Sequence, residues 1–154
     1  MNKPFEVVLM VGIPASGKTT FCRERLFPSH IYISLDQLKT RSAEIELYKF
    51  ALERSKSCVI DNTNVAIGER EYYIREAKKI KGLRIIAYNF IPDFEGCMLR
   101  NAKRAGKDCV PSVAIKDKIS KYESPTIKEG FDEIFDIEIS ENSFIVRRRN
   151  EKEE

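Results

Sequence analysis

An apolar run, Phe5 to Val11, delivers the chain into Gly12-Ile13-Pro14-Ala15-Ser16-Gly17-Lys18-Thr19. That octet satisfies G-x-x-x-x-G-K-[ST] at every fixed position. A Val-rich run of this length reads as a buried parallel strand, and the residues after the loop, Lys18 to Leu26, read as a helix stopped near Pro28. The glycines let the intervening backbone turn its N–H groups inward around an anion, and the helix directs its positive end at the same point. Lys18 adds a point charge suited to the β- and γ-phosphates of a nucleotide, and the Thr19 hydroxyl suits Mg²⁺. Pro14 stiffens the loop, and Ser16 satisfies its hydrogen bonds.

The rest of the chain has the same grammar. Short apolar strands are predicted at Ile31–Ser34, Cys58–Ile60 and Leu83–Phe90, and a last strand or hairpin at Ile134–Ile139 and Phe144–Val146. Helical spacing covers Ser42–Ser55, Ile67–Ile80, Phe94–Ala105 and Pro111–Tyr122. Alternation of strand and helix implies a mainly parallel sheet covered on both faces, a three-layer α/β/α sandwich. In such sheets the ligand lies beyond the carboxyl ends of the strands. Gly12, Asp36 and Asp61 each come after a predicted strand, so all three fall at one edge. The length of 154 residues fits one domain, read as residues 1–146, with a helical lid at about 93–122 and a charged, frayed tail at 147–154.

Composition narrows the setting. The net charge of +3 permits an anionic partner without demanding one. The four cysteines, Cys22, Cys58, Cys97 and Cys109, show no C-x-x-C spacing, and a single histidine offers no companion ligand, so reduced thiols are expected. No stretch approaches the roughly 20 apolar residues that span a bilayer. With no apolar leader at the N-terminus, the expectation is a cytoplasmic protein without a membrane partner.

Two acids carry the chemistry. A phosphoryl donor bound at the loop needs either water or a hydroxyl as acceptor, and a hydroxyl needs a carboxylate to take its proton. Asp36, after Ile33-Ser34-Leu35, is the candidate; a helix N-cap is its structural alternative. Asp61 ends a strand of the kind that orients Mg²⁺, or contacts substrate, or caps the next helix. The adjoining Asn62-Thr63-Asn64 suits a polar ligand, with Asn64 as the contact, and equally suits a turn. Arg100 and Arg104, four apart on a predicted helix, share a face and could neutralise charge on the donor phosphates; a solvated basic face is the alternative. Gly106 is the expected hinge.

Together these motifs resemble the kinase domain of the 5′-polynucleotide kinases of phage and animal end repair. The resemblance covers about residues 5–140. It rests on Gly-Ile-Pro-Ala-Ser-Gly-Lys-Thr-Thr (12–20), Asp36, Val-Ile-Asp-Asn-Thr-Asn (59–64), Arg-Asn-Ala-Lys-Arg (100–104) with Val-Pro (110–111), and Lys-Tyr-Glu-Ser-Pro-Thr with Glu-Gly-Phe (121–131). It implies a P-loop NTPase fold and ATP with Mg²⁺ as cofactors. Gly12, Ala15, Ser16, Gly17, Lys18, Thr19 and Thr20 would surround the phosphates. Asp36 would be the general base for a 5′-hydroxyl, Asp61 a second essential acid near the acceptor, and Arg104 the lid arginine, supported by Arg100. The family pattern expects an arginine three residues after the base, on the acceptor's phosphate; here that position is Lys39, with Arg41 nearby. No D-x-D-x-T motif is present, so a kinase without a 3′-phosphatase domain is expected. The leading reading is ATP-dependent transfer to a polynucleotide 5′-hydroxyl. Transfer to a small-molecule or nucleoside hydroxyl, and a non-catalytic nucleotide-binding regulator, are the alternatives.

Overall fold

A computed structural model describes residues 5–150. Six strands form one sheet in the order β2-β3-β1-β4-β5-β6. They are β1 (Glu6–Val11), β2 (Ile31–Ile33), β3 (Cys58–Ile60), β4 (Arg84–Phe90), β5 (Glu133–Ser140) and β6 (Ser143–Arg148). The first five run parallel, and β6 returns antiparallel to β5. The α-helices are α1 (Lys18–Arg25), α2 (Leu35–Leu38), α3 (Arg41–Glu53), α4 (Ile67–Lys78), α5 (Phe94–Ala102) and α6 (Ser112–Lys121).

Alternation along the strands builds the layers, because successive side chains leave opposite faces of a strand. Val7 and Leu9 on one face pack with Tyr48, Ala51 and Leu52 of α3 and Tyr73, Ile74 and Ala77 of α4. Val8 and Met10 on the other face pack with Phe21 and Cys22 of α1. This is the expected three-layer α/β/α arrangement. A third apolar cluster joins Ile13 and Ala15 of the loop to Val65, Cys97 of α5 and Ile115 of α6, and so seats the last two helices over the loop. Cys22, Cys58 and Cys97 are buried thiols and Cys109 is exposed. No helix among the described residues is long and apolar enough to cross a membrane.

Four expectations need correction. The strand expected over Ile31–Ser34 stops at Ile33, and Asp36, expected just past its end, lies in a single helical turn, α2, that comes next. Neither acid caps a helix: the N-cap positions of α2, α3 and α4 are Ser34, Thr40 and Ala66. The helix expected to reach Ala105 ends at Ala102, so Arg104 lies beyond its C-cap residue Lys103 and does not share a helical face with Arg100. The charged segment from Arg147 is not frayed at its start. Arg147 and Arg148 complete β6, and the Arg149 guanidinium grips Asp136 through two bonds of 3.0 and 2.7 Å while also reaching Ser124 and the Pro125 carbonyl. Residues 151–154 of that segment lie outside the described residues.

Candidate active site

Backbone shape at the loop depends on two glycines. A Cβ on Gly12 would come within 2.8 Å of Ser16 Oγ and 3.0 Å of Phe90 Cβ, so only glycine lets the strand turn there. Gly17 has φ +97° at the N-cap of α1, in the left-handed region, where side chains are strained. With no side-chain cap on α1, its first N–H groups stay directed at whatever the loop holds. Lys18 is buried, and its amine donates to the Ile13 carbonyl at 2.9 Å and to Ser16 Oγ at 3.3 Å. Burial pulls the Lys18 ammonium down to about 8, against the pull of the Asp61 carboxylate in the other direction.

The segment after β3 is sewn to the end of β1. Gly12 N–H donates to the Thr63 carbonyl at 2.9 Å, and the Asn64 side chain donates to the Met10 carbonyl at 2.9 Å. Arg70, wholly buried on α4, donates to the Asn64 carbonyl at 2.8 Å and forms a two-bond pair with Glu129 at 2.8 and 3.0 Å. Asp61 is thereby fixed beside the loop. Its Oδ2 accepts the Thr19 hydroxyl at 2.8 Å and the Tyr32 phenol. Register explains the Tyr32 contact, since β2 and β3 pair with Ile33 opposite Ile60. Burial, and then the Asp61 charge, push the Tyr32 phenol well above its ordinary range, so it remains a donor.

A cleft of about 1040 Å³ opens across these groups at the carboxyl edge of the sheet. Lys18, Thr19, Thr20, Asp61 and Asn64 line it from below, Asp36 from α2, and Arg104 from the segment past α5. Asp36 is exposed to the cleft. Arg104 donates to the Asp108 carbonyl at 3.3 Å. Thr19 and Asp61 juxtapose a hydroxyl and a carboxylate, hard oxygen donors of the kind Mg²⁺ takes alongside nucleotide phosphates, so the residues present fit that ion.

No family model matches the sequence. The chain is 30% identical over 136 residues to a bifunctional polynucleotide phosphatase/kinase of Schizosaccharomyces pombe, covering 86% of this chain and 33% of that protein. A putative bifunctional polynucleotide phosphatase/kinase of Acanthamoeba polyphaga mimivirus is 36% identical over 75 residues, 48% of this chain and 18% of that one. The chain therefore spans a third or less of the length of these relatives. Among solved structures, a fungal RNA kinase superposes with a TM-score of 0.72 at 21% identity, covering 92% of this chain and 78% of that one. Together these matches support a polynucleotide-kinase-like P-loop family for the chain.

The structure gathers most of the sequence-derived residues and disperses a few. Lys39 does not line the cleft; Arg41 does, with its guanidinium held by Glu44 at 2.8 Å and by the Tyr73 hydroxyl at 3.1 Å. Arg100 also stands outside the lining. Its Nε donates to the Ala15 carbonyl at 2.7 Å, a bond that ties α5 to the loop. Asn64 faces the cleft, but its amide nitrogen is turned into the sheet. Tyr32, Glu44 and Arg70 are not legible in the sequence as site residues. Tyr32 sits in an ordinary alternating strand, while a buried Glu in an amphipathic helix and a buried Arg four residues from a turn carry no motif.

Proposed function

We propose that this protein transfers the γ-phosphate of ATP to a hydroxyl, with the 5′-hydroxyl of a polynucleotide as the acceptor. The observation that carries the reading is convergence. The phosphate loop with Lys18, the Thr19–Asp61 pair, Asp36 and Arg104 line one cleft. A nucleotide switch or regulator has no need of a second, solvent-facing carboxylate opposite the loop. The relatives whose names describe polynucleotide kinases support the acceptor class.

In this reading the loop N–H groups and Lys18 hold the donor phosphates. Thr19 and Asp61 would hold Mg²⁺, which when bound offsets negative charge on those phosphates. Asp36 accepts the acceptor's hydroxyl proton as its oxygen bonds to the γ-phosphorus; the bond from that phosphorus to the bridging oxygen breaks, and ADP leaves. Arg104, delivered by a lid of about residues 93–122 that turns at Gly106, balances charge on the transferring group. The buried free thiols suit a reducing, cytoplasmic setting.

A small-molecule hydroxyl is the second reading, and one observation favours it: the cation three residues past Asp36, Lys39, stands outside the cleft. Incubation with γ-labelled ATP and a panel of 5′-hydroxyl oligonucleotides, nucleosides and small alcohols separates the two. Label on oligonucleotides is expected. Label on a small alcohol alone selects the second reading, and nucleotide binding without label on any acceptor overturns both.

A further inference from the structure

The turn that carries Asp36 has little of its own to hold it. α2 is four residues long, and a single turn is not stable alone. None of its residues is fully buried, and Leu38 packs only partly against the core. Ser34, at its N-cap, makes no side-chain capping bond. Lys39 leaves the turn at φ +70°, a conformation that side chains rarely adopt.

The missing support comes from the segment after β3. Asn62 Oδ1 accepts the Leu35 N–H at 3.0 Å, acting as a helix cap supplied from elsewhere in the chain. The nitrogen end of the same amide donates to Glu44 Oε2 at 2.8 Å. Glu44 is wholly buried on α3, and its other oxygen accepts from Arg41 at 2.8 Å and from the Tyr73 phenol. Burial, and then the hydrogen bond to Glu44, raise the Tyr73 phenol, which keeps it a donor. Asn62 directly succeeds Asp61. One dipeptide therefore bonds to Thr19 of the loop through its first residue and to the N-terminus of α2 through its second.

We infer that Asn62 and Glu44 are positioning residues: their brace sets α2, and with it the Asp36 carboxylate, at a fixed place relative to the Thr19–Asp61 pair. The inference rests on the reading of Asp36 as the general base. Both residues line the cleft, and the polar contacts they make in it are those of the brace.

The test uses the full chain and two kinds of readout. Asn62→Ala should lower kcat for transfer to a 5′-hydroxyl oligonucleotide by about 10- to 100-fold, the scale of a displaced catalytic group. The KM and Kd for ATP should stay within about twofold, because the phosphate loop is untouched. Amide hydrogen exchange over residues 35–39 should quicken. Asn62→Asp alone removes the donor and sets a second carboxylate against Glu44, so it should be as damaging as the truncation. Combining Asn62→Asp with Glu44→Gln reverses the bond's direction and should restore kcat to within about threefold of the parent. Should Asn62→Ala not fold, Asn62→Ser, whose hydroxyl is too short to span both partners, serves the same comparison. Unchanged kcat, ATP affinity falling in step with rate, unaltered exchange over 35–39, or no recovery in the double variant would each overturn the brace. If the parent transfers no phosphate to any hydroxyl, the proposed function has failed instead, and the exchange data still decide whether Asn62 holds α2.

Discussion

Thr19 and Asp61, 42 residues apart in the chain, share a hydrogen bond of 2.8 Å that joins the phosphate loop to the end of β3. The Tyr32 phenol donates to the same carboxylate oxygen. Removing the hydroxyl in Thr19→Val, or the charge in Asp61→Asn, should cut kcat and raise the Mg²⁺ concentration for half-maximal rate, each by about 10- to 100-fold. Tyr32→Phe leaves the Thr19 bond in place and should cost less than either. Initial rates across a Mg²⁺ titration check all three.

Lys18 links phosphate binding to pH. Burial holds its amine near 8 instead of the ordinary 10.5. Nucleotide phosphates favour the charged form, so binding ATP at pH 8 should take up about half a proton. Calorimetry in buffers of different ionisation enthalpy reads this directly, and Lys18→Met should abolish the uptake. The same shift sets the sign for the free protein. Between pH 8 and 10.5 the unfolded chain holds the proton that the folded chain has released, so Lys18 makes stability rise with pH across that window.

Arg100 and Arg104 should separate kinetically. Arg104 lines the cleft, whereas Arg100 bonds the Ala15 carbonyl from behind the loop. Arg104→Ala should lower kcat by about 100-fold with little change in ATP affinity. Arg100→Ala should chiefly weaken ATP binding and lower stability. Steady-state kinetics with a separate measurement of nucleotide affinity distinguishes the two patterns.

Arg70 and Glu129 form a buried pair that holds the segment Asn62-Thr63-Asn64 through the Asn64 carbonyl. Arg70→Met strands the Glu129 carboxylate, which is 8% exposed. A loss of about 3–5 kcal/mol in unfolding free energy is expected, measured by denaturant titration.

The sheet is legible in the sequence because buried parallel strands read as continuous apolar runs, and the loop because its glycines have no substitute. Val7 with Leu9 and Val8 with Met10 fall on opposite faces as alternation demands. The helix α2 is not legible. A single turn has no periodicity to detect, so Asp36 reads as lying at a strand end when it stands in the first turn of α2. Arg104 reads as helical because Lys103 and Arg104 are good helix formers, yet α5 stops at Ala102. The contacts of Asp61 with Tyr32 and of Glu44 with Tyr73 depend on strand register and helix rotation, which join residues 29 apart in each case and leave no local pattern.

In the proposed reaction the phosphoryl group goes to a hydroxyl whose proton Asp36 accepts. Transfer from γ-labelled ATP to a 5′-hydroxyl oligonucleotide by Asp36→Asn, alongside its Kd for ATP, tests this most directly. The expected result is a loss of transfer of at least about 100-fold, with ATP affinity within about twofold of the parent. Transfer at the parental rate, or a loss of ATP affinity as large as the loss of rate, would contradict it.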